Sequence, residues 1–125
     1  MEEKQIEQMT ESIFDSVKTL LGLGIDNTDF DPNIIMNINA ALLILFQNGI
    51  GTKTPFMITG KEETYEDFVT DSGTVGMVKM FLFYKVKIWF DSESTSSVLI
   101  DQYNKTADEF LWRMREYEEH KDAFK

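Results

Sequence analysis

His120 is the only histidine in this chain of 125 residues, and cysteine is absent. Nucleophilic catalysis needs a base held against a serine or thiol, and soft metal sites need thiolates, so neither chemistry has its usual material. A lone imidazole close to the chain end reads as a surface residue. Asn27, Asp29 and Asp31 alternate as the first ligands of a calcium loop do. Such a loop needs glycine at its sixth position and glutamate at its twelfth. Here those places hold Pro32 and Ile38, so the acids read as turn and cap residues. The glycine pairs Gly22/Gly24 and Gly49/Gly51 follow helical patterns and lack the strand that precedes a phosphate-cradling loop. No catalytic, cofactor or metal site is expected, and the chain does not read as an enzyme.

The elements around these residues are read from apolar periodicity. From Ile6, the positions Met9, Ile13, Phe14, Val17, Leu20 and Leu21 recur at helical spacing and predict a first amphipathic helix ended by Gly22 and Gly24. Asp31-Pro32 predicts a second start, with the carboxylate accepting from free amides and proline in the first turn. That helix carries Ile34, Ile35, Ile38, Ala41, Leu42, Leu45 and Phe46, widened by Leu43 and Ile44, and Gly49 is placed to cap it. So apolar a helix belongs at the centre of the fold. Residues 52–63 break the periodicity and predict a projecting loop, with 56–59 able to extend as a short strand. Thr64 and Asp67 form a capping-box pattern for a short helix with Tyr65 and Phe68. The run from Val75 to Trp89 fits both periods in places, but its length without a turn signal decides for a helix. A last helix is expected over about 95–120. The fold class is all-α: one small helical domain over 1–125, with four main helices, a short extra one and a long C-terminal helix.

Composition bounds the partners. Twenty-two acidic residues against twelve basic ones leave a net charge of -10, the wrong sign for a duplex-binding surface. No run of apolar residues is long enough to span a bilayer, and no secretory leader precedes the first helix, so no membrane association is expected.

The last helix is the feature that demands a partner. At 1.5 Å per residue it approaches about 40 Å, against a body roughly 35 Å across. Leu99, Tyr103, Thr106, Phe110, Met114 and Tyr117 form a seam at spacings of four and three, suited to packing on another helix. The first half of the seam is expected to cover its own subunit and the second half to be less covered. Trp112 falls almost opposite, among Asp101, Lys105, Asp108, Arg115 and Glu119. A large indole on a charged face marks an interface. Asp101 with Lys105 and Glu109 with Arg113 are spaced for ion pairs along the helix.

Taken together, "SVKTLLGLGIDNTDFDPNIIMNINAALLILFQNGIG", "VKMFLFYKVKIWFD" and "SSVLIDQYNKTADEFLWRM" resemble the small head-to-tail connector (adaptor, or head-completion) proteins of long-tailed bacteriophages. The likeness covers about residues 13–116. It is most specific at Phe30-Asp31, at Phe90-Asp91 and at the stretch Glu109, Phe110, Trp112 and Arg113. The chain departs from the family in having Ser92 and Glu93 where relatives commonly have two prolines, and Tyr65 where they often have tryptophan. The resemblance implies a non-enzymatic virion protein of the neck, assembled in the host cytoplasm. It implies a ring of subunits, expected to be a dodecamer, beneath the portal protein. Such a ring extends the DNA channel, closes the head after packaging and presents a platform to a tail-side neck or stopper protein, while DNA passes without specific binding. Subunit or portal contacts are then expected at Trp112, Arg115, Asp108, Tyr117 and Phe124. The rival reading is an acidic DNA mimic that occupies a host nuclease or repressor, which requires a continuous row of carboxylates on one face.

Overall fold

The computed structural model describes residues 8–91 and 95–120. Its helices are α1 (Ile13–Leu20), α2 (Asp31–Gln47), α3 (Tyr65–Phe68), α4 (Ser72–Phe90) and α5 (Ser97–His120). No strand occurs among the described residues, and the chain is all-α.

The expected helix start at Ile6 lies outside the described residues. Within them, residues 8–10 are helical, but the helix is not continuous into α1. Ser12 takes extended geometry and its hydroxyl accepts from the Asp15 amide at 3.2 Å, which starts a new helix. The backbone freed at this break pairs with a distant segment: the Ile13 amide donates to the Glu63 carbonyl at 3.0 Å and the Tyr65 amide to the Glu11 carbonyl at 3.3 Å. Two non-local hydrogen bonds therefore replace helical ones that the periodicity alone predicts.

The glycine stops are confirmed. Gly22 has φ +83° and Gly49 φ +80°, the left-handed region where a Cβ is strained. After α1, the Gly22 amide bonds the Thr19 carbonyl at 3.0 Å and the Leu23 amide bonds that of Lys18 at 3.2 Å. After α2, Gly49 and Ile50 bond Phe46 and Leu45 in the same way, both at 3.0 Å. Each is a Schellman ending that satisfies carbonyls left open by the last turn. The box at Thr64 also forms, with the Asp67 carboxylate accepting from the Thr64 amide at 2.9 Å.

Asp31 does not cap α2. The cap position is Phe30, without a side-chain bond, and the Asp31 carboxylate instead takes the Lys18 ammonium at 2.9 Å. Lys18 is buried at 3% side-chain exposure and also donates to the Ile25 carbonyl at 3.2 Å. Its position across α1 makes an ion pair a stronger use of the acid than an amide cap, because the buried ammonium must be neutralised locally.

The core is one cluster. The inner face of α2 (Ile34, Ile38, Ala41, Leu42, Leu45) is buried with Val75, Val78, Phe81, Leu82 and Val86 of α4, and Ile13, Phe14 and Val17 of α1 close it. α2 is not enclosed as its composition predicts: Met36 and Leu43 are exposed. Trp89, which keeps helical spacing with Val75, Val78, Leu82 and Val86, is partly exposed as well. α5 lies antiparallel on α4. Tyr117 at its end donates to the Asp71 carboxylate at 2.8 Å, Tyr84 stacks on Phe110 and contacts Tyr103, and Lys85 donates to the Asn104 side chain at 3.2 Å.

No strand forms in the 52–63 segment, yet it is tied to the body: Phe56 packs on Phe68 at 5.3 Å, the Glu63 carbonyl takes the Ile13 amide, and Asn39 holds Ile58. The Asn39 amide group receives the Ile58 N–H at 2.7 Å and donates to the Ile58 carbonyl at 3.0 Å, while the Ile58 side chain is buried. Glu63 then accepts from the Thr59 hydroxyl at 2.8 Å and the Thr59 amide at 3.0 Å. Burial pushes the Glu63 carboxyl up, but the Thr59, Glu63 and Gly60 hydrogen bonds together hold it below its ordinary value.

Two stability tests follow from these polar contacts. Asp31→Asn leaves the buried Lys18 ammonium without its counter-charge and is expected to cost about 3 kcal/mol in urea unfolding. Tyr65 is fully buried, with its hydroxyl bonded to Ser16. Burial raises its pKa well above the tyrosine value, the Ser16 hydrogen bond lowers it in part, and the Glu11 charge adds to the rise. Stability from the neutral phenol is complete below about pH 10 and is lost above it, as the unfolded phenol ionises and the folded one does not. The wild-type unfolding midpoint should therefore fall more steeply above about pH 10 than that of Tyr65→Phe, which has no proton to lose.

Candidate interaction surface

α5 separates two faces. Ala107 and Met114 are fully buried toward α4, with Tyr103, Phe110 and Tyr117 partly buried beside them. On the opposite side Asp101, Lys105, Asp108, Trp112, Arg115 and Glu119 are all exposed, and Trp112 retains 62% of its surface. Spacings of four and three place these six residues on one stripe, as the sequence predicts.

The cover along the seam runs opposite to expectation. Val98 and Leu99 at the start of α5 are exposed, at 64% and 41%, whereas the second half holds Met114 and the Tyr117 bond. The reason is the register: Asn104 meets Lys85 and Tyr117 meets Asp71, which sets the first turn of α5 level with or beyond the end of α4 at Phe90. α5 has 24 residues against 19 in α4, about 36 Å against about 28 Å, so the excess is modest.

Tyr117 faces inward, not along the Trp112 stripe. Its hydroxyl binds one oxygen of Asp71 while the other accepts the Gly73 amide at 2.8 Å and caps α4, so a single carboxylate joins the ends of both helices. Arg113 pairs with Glu109 at 2.6 Å, and no Asp101–Lys105 pair forms among the described residues. Arg115 and Asp108 stand on the outer stripe with Trp112. Phe124 lies outside the described residues. His120 is on the surface, 3.4 Å from Glu116 and 3.9 Å from Glu119, and these groups share one exposed turn.

A second apolar feature escapes the sequence reading. Phe30, Asn33, Met36, Asn37, Trp89 and Phe90 line an open groove of about 410 Å³ between α2 and α4. Phe30 meets Phe90 edge-to-face at 5.3 Å, fixing one wall. Helical spacing groups Trp89 with Val75, Val78, Leu82 and Val86, and only the relative rotation of the two helices turns it to the rim.

No described helix is long and apolar enough to cross a membrane. The small all-α fold exposes aromatic surface on two sides, at Trp112 and at Trp89. Residues 13–121 match the family described as phage connector protein, and the chain belongs to that family. It is accordingly a structural head–tail connector protein of the bacteriophage neck, in a family that contacts portal and tail proteins and is not known to be enzymatic. No curated protein and no solved structure matches the chain.

Tyr117→Phe removes the bond to Asp71 while leaving the Asp71 cap on Gly73 in place. It is expected to cost about 1 kcal/mol in global stability. Hydrogen exchange should quicken in the last turns of α5 and not in α2, since the lost bond fastens only the α4–α5 junction.

Proposed function

We propose that this chain builds a ring beneath the portal, expected to contain twelve copies, that extends the DNA channel, closes the head after packaging and presents a platform to a tail-side neck or stopper protein. Family membership supports the connector role, and the observation that carries the assembly reading is Trp112, an indole 62% exposed on the outer stripe of α5. Exposed indoles on a structured helix become anchors when a second surface covers them.

A ring closes through a heterologous contact, in which a patch on one side of a subunit meets a different patch on the next. Trp112 on the outer side of α5 and the groove between α2 and α4 supply such a non-identical pair of surfaces. A charge of -10 per subunit gives the assembled channel no counter-charge for phosphates, so duplex DNA passes without being held. The outer stripe of α5 interleaves Lys105 and Arg115 with its acids, which breaks the row a DNA mimic requires. Assembly takes place in the host cytoplasm, on heads already filled with DNA.

Trp112→Ala tests this reading. Its helicity by circular dichroism and its urea midpoint should match wild type, because the side chain is largely in solvent. Occupancy on DNA-filled heads at matched concentration should fall about tenfold or more, as for an interface anchor. Unchanged occupancy rejects the assembly role of this residue.

A further inference from the structure

α2 carries only one charged residue, Asp31, and that charge is taken up by Lys18. Its solvent side is made of Asn33, Met36, Ala40, Leu43 and Gln47, all exposed and all uncharged. A helix without charges on its solvent face is unusual unless something covers it. These residues advance by three and four in turn, the same spacing as the outer stripe of α5. One subunit thus presents two straight, exposed stripes of equal period, one uncharged with a groove at its N-terminal end and one charged with an indole near its middle.

We infer that α5 of one subunit lies antiparallel along α2 of the next, with Trp112 seated in the groove formed by Phe30, Met36 and Trp89. This rests on the ring reading above and names the surface that closes it. Charge chooses both the occupant and its direction. Arg115 shares a face with Trp112 and has no ion-pair partner among the described residues, and the carboxylate of Asp29, next to Phe30 in sequence, is likewise without an ion pair among them. With Trp112 over Met36, only the antiparallel direction carries Arg115 toward Asp29 and the start of α2. The parallel direction sets it against Ala40 and Leu43, where no acid is available. Glu119, next on the stripe, then passes beyond the start of α2 to the level of Asp29 and Phe30, so Arg115 is the cation that offsets the carboxylates there. Matched stripes of this spacing pack at a shallow crossing angle, which keeps the contact continuous over several turns.

The native chain has no cysteine, so introduced pairs can be oxidised without background. In the antiparallel register Asp108 faces Ala40, and in the parallel one it faces Asn33. Connectors bearing Ala40→Cys and Asp108→Cys, assembled on DNA-filled heads and oxidised, are expected to run as a ladder of covalent multimers, while each single variant stays monomeric. Cross-linking by Asn33→Cys with Asp108→Cys alone overturns the direction. Cross-linked dimers from a single variant mean a two-fold contact and overturn the inference, as does a cross-link that captures a portal or tail protein. A ring visible by microscopy without any Ala40–Asp108 cross-link rejects this interface and leaves the ring standing, whereas no ring on heads that carry the protein rejects both. As a second measure, Asp29→Arg and Arg115→Asp should each lower occupancy about tenfold and recover most of it when combined in one chain. Failure of the combined variant to recover rejects the pairing.

Discussion

Burial of the inner face of α2 is the constraint on which the other elements depend. Ile34, Ile38, Ala41, Leu42 and Leu45 have no accessible surface, and only α4 and α1 together can cover a stripe of that width. This fixes α4 with its valines inward and turns Trp89 toward the rim. α5 cannot then reach α2 within its own chain in any extended way; it rides on α4 as an outer layer, with Ala107 and Met114 as its deepest contacts. The subunit is a graded stack, dense around α2 and thinner outward, and its unsatisfied surface lies where the layers end.

Polar groups do a different job from the core. Each of the main clasps joins a segment that apolar packing alone leaves loosely placed. Lys18 with Asp31 fastens α1 to the start of α2, Ser16 with Tyr65 fastens α3 beneath α1, and Tyr117 with Asp71 fastens the end of α5. A buried ammonium adds little net stability over a well-packed apolar pair, but it tolerates few alternative arrangements because every misplacement strands a charge. Such contacts favour a single orientation of short helices.

How much of this can be read from the chain depends on whether the deciding contact is local. The endings at Gly22 and Gly49, the Thr64 and Asp67 box and the helical choice for α4 are set by residues a few positions apart, and all are legible. The break at Ser12 is not, because it is produced by pairing with residues 63–65. Asp31 reads as a cap because its partner Lys18 lies a full turn and loop away. The uncovered start of α5 depends on its register against α4, which no periodicity encodes. For the interaction surface the outward Trp112 is legible from angular position alone. The groove is not, since it arises from the rotation of α4 against α2, and the inward bond of Tyr117 depends on where α4 begins.

Asn39 uses its side-chain amide as a strand would use one residue of backbone, giving and receiving at Ile58. The long connection between α2 and α3 is thereby split at an internal anchor into two short arcs, and the ordering entropy of each is governed by its own length. The second arc is closed again on itself by Glu63 and Thr59. Residues 53–55 can consequently change in length or composition without slackening the arc that follows, while Phe56 is held by its contact with Phe68. Among relatives, variation in this connection should concentrate before the anchor, making that stretch the adjustable fitting of an otherwise fixed component.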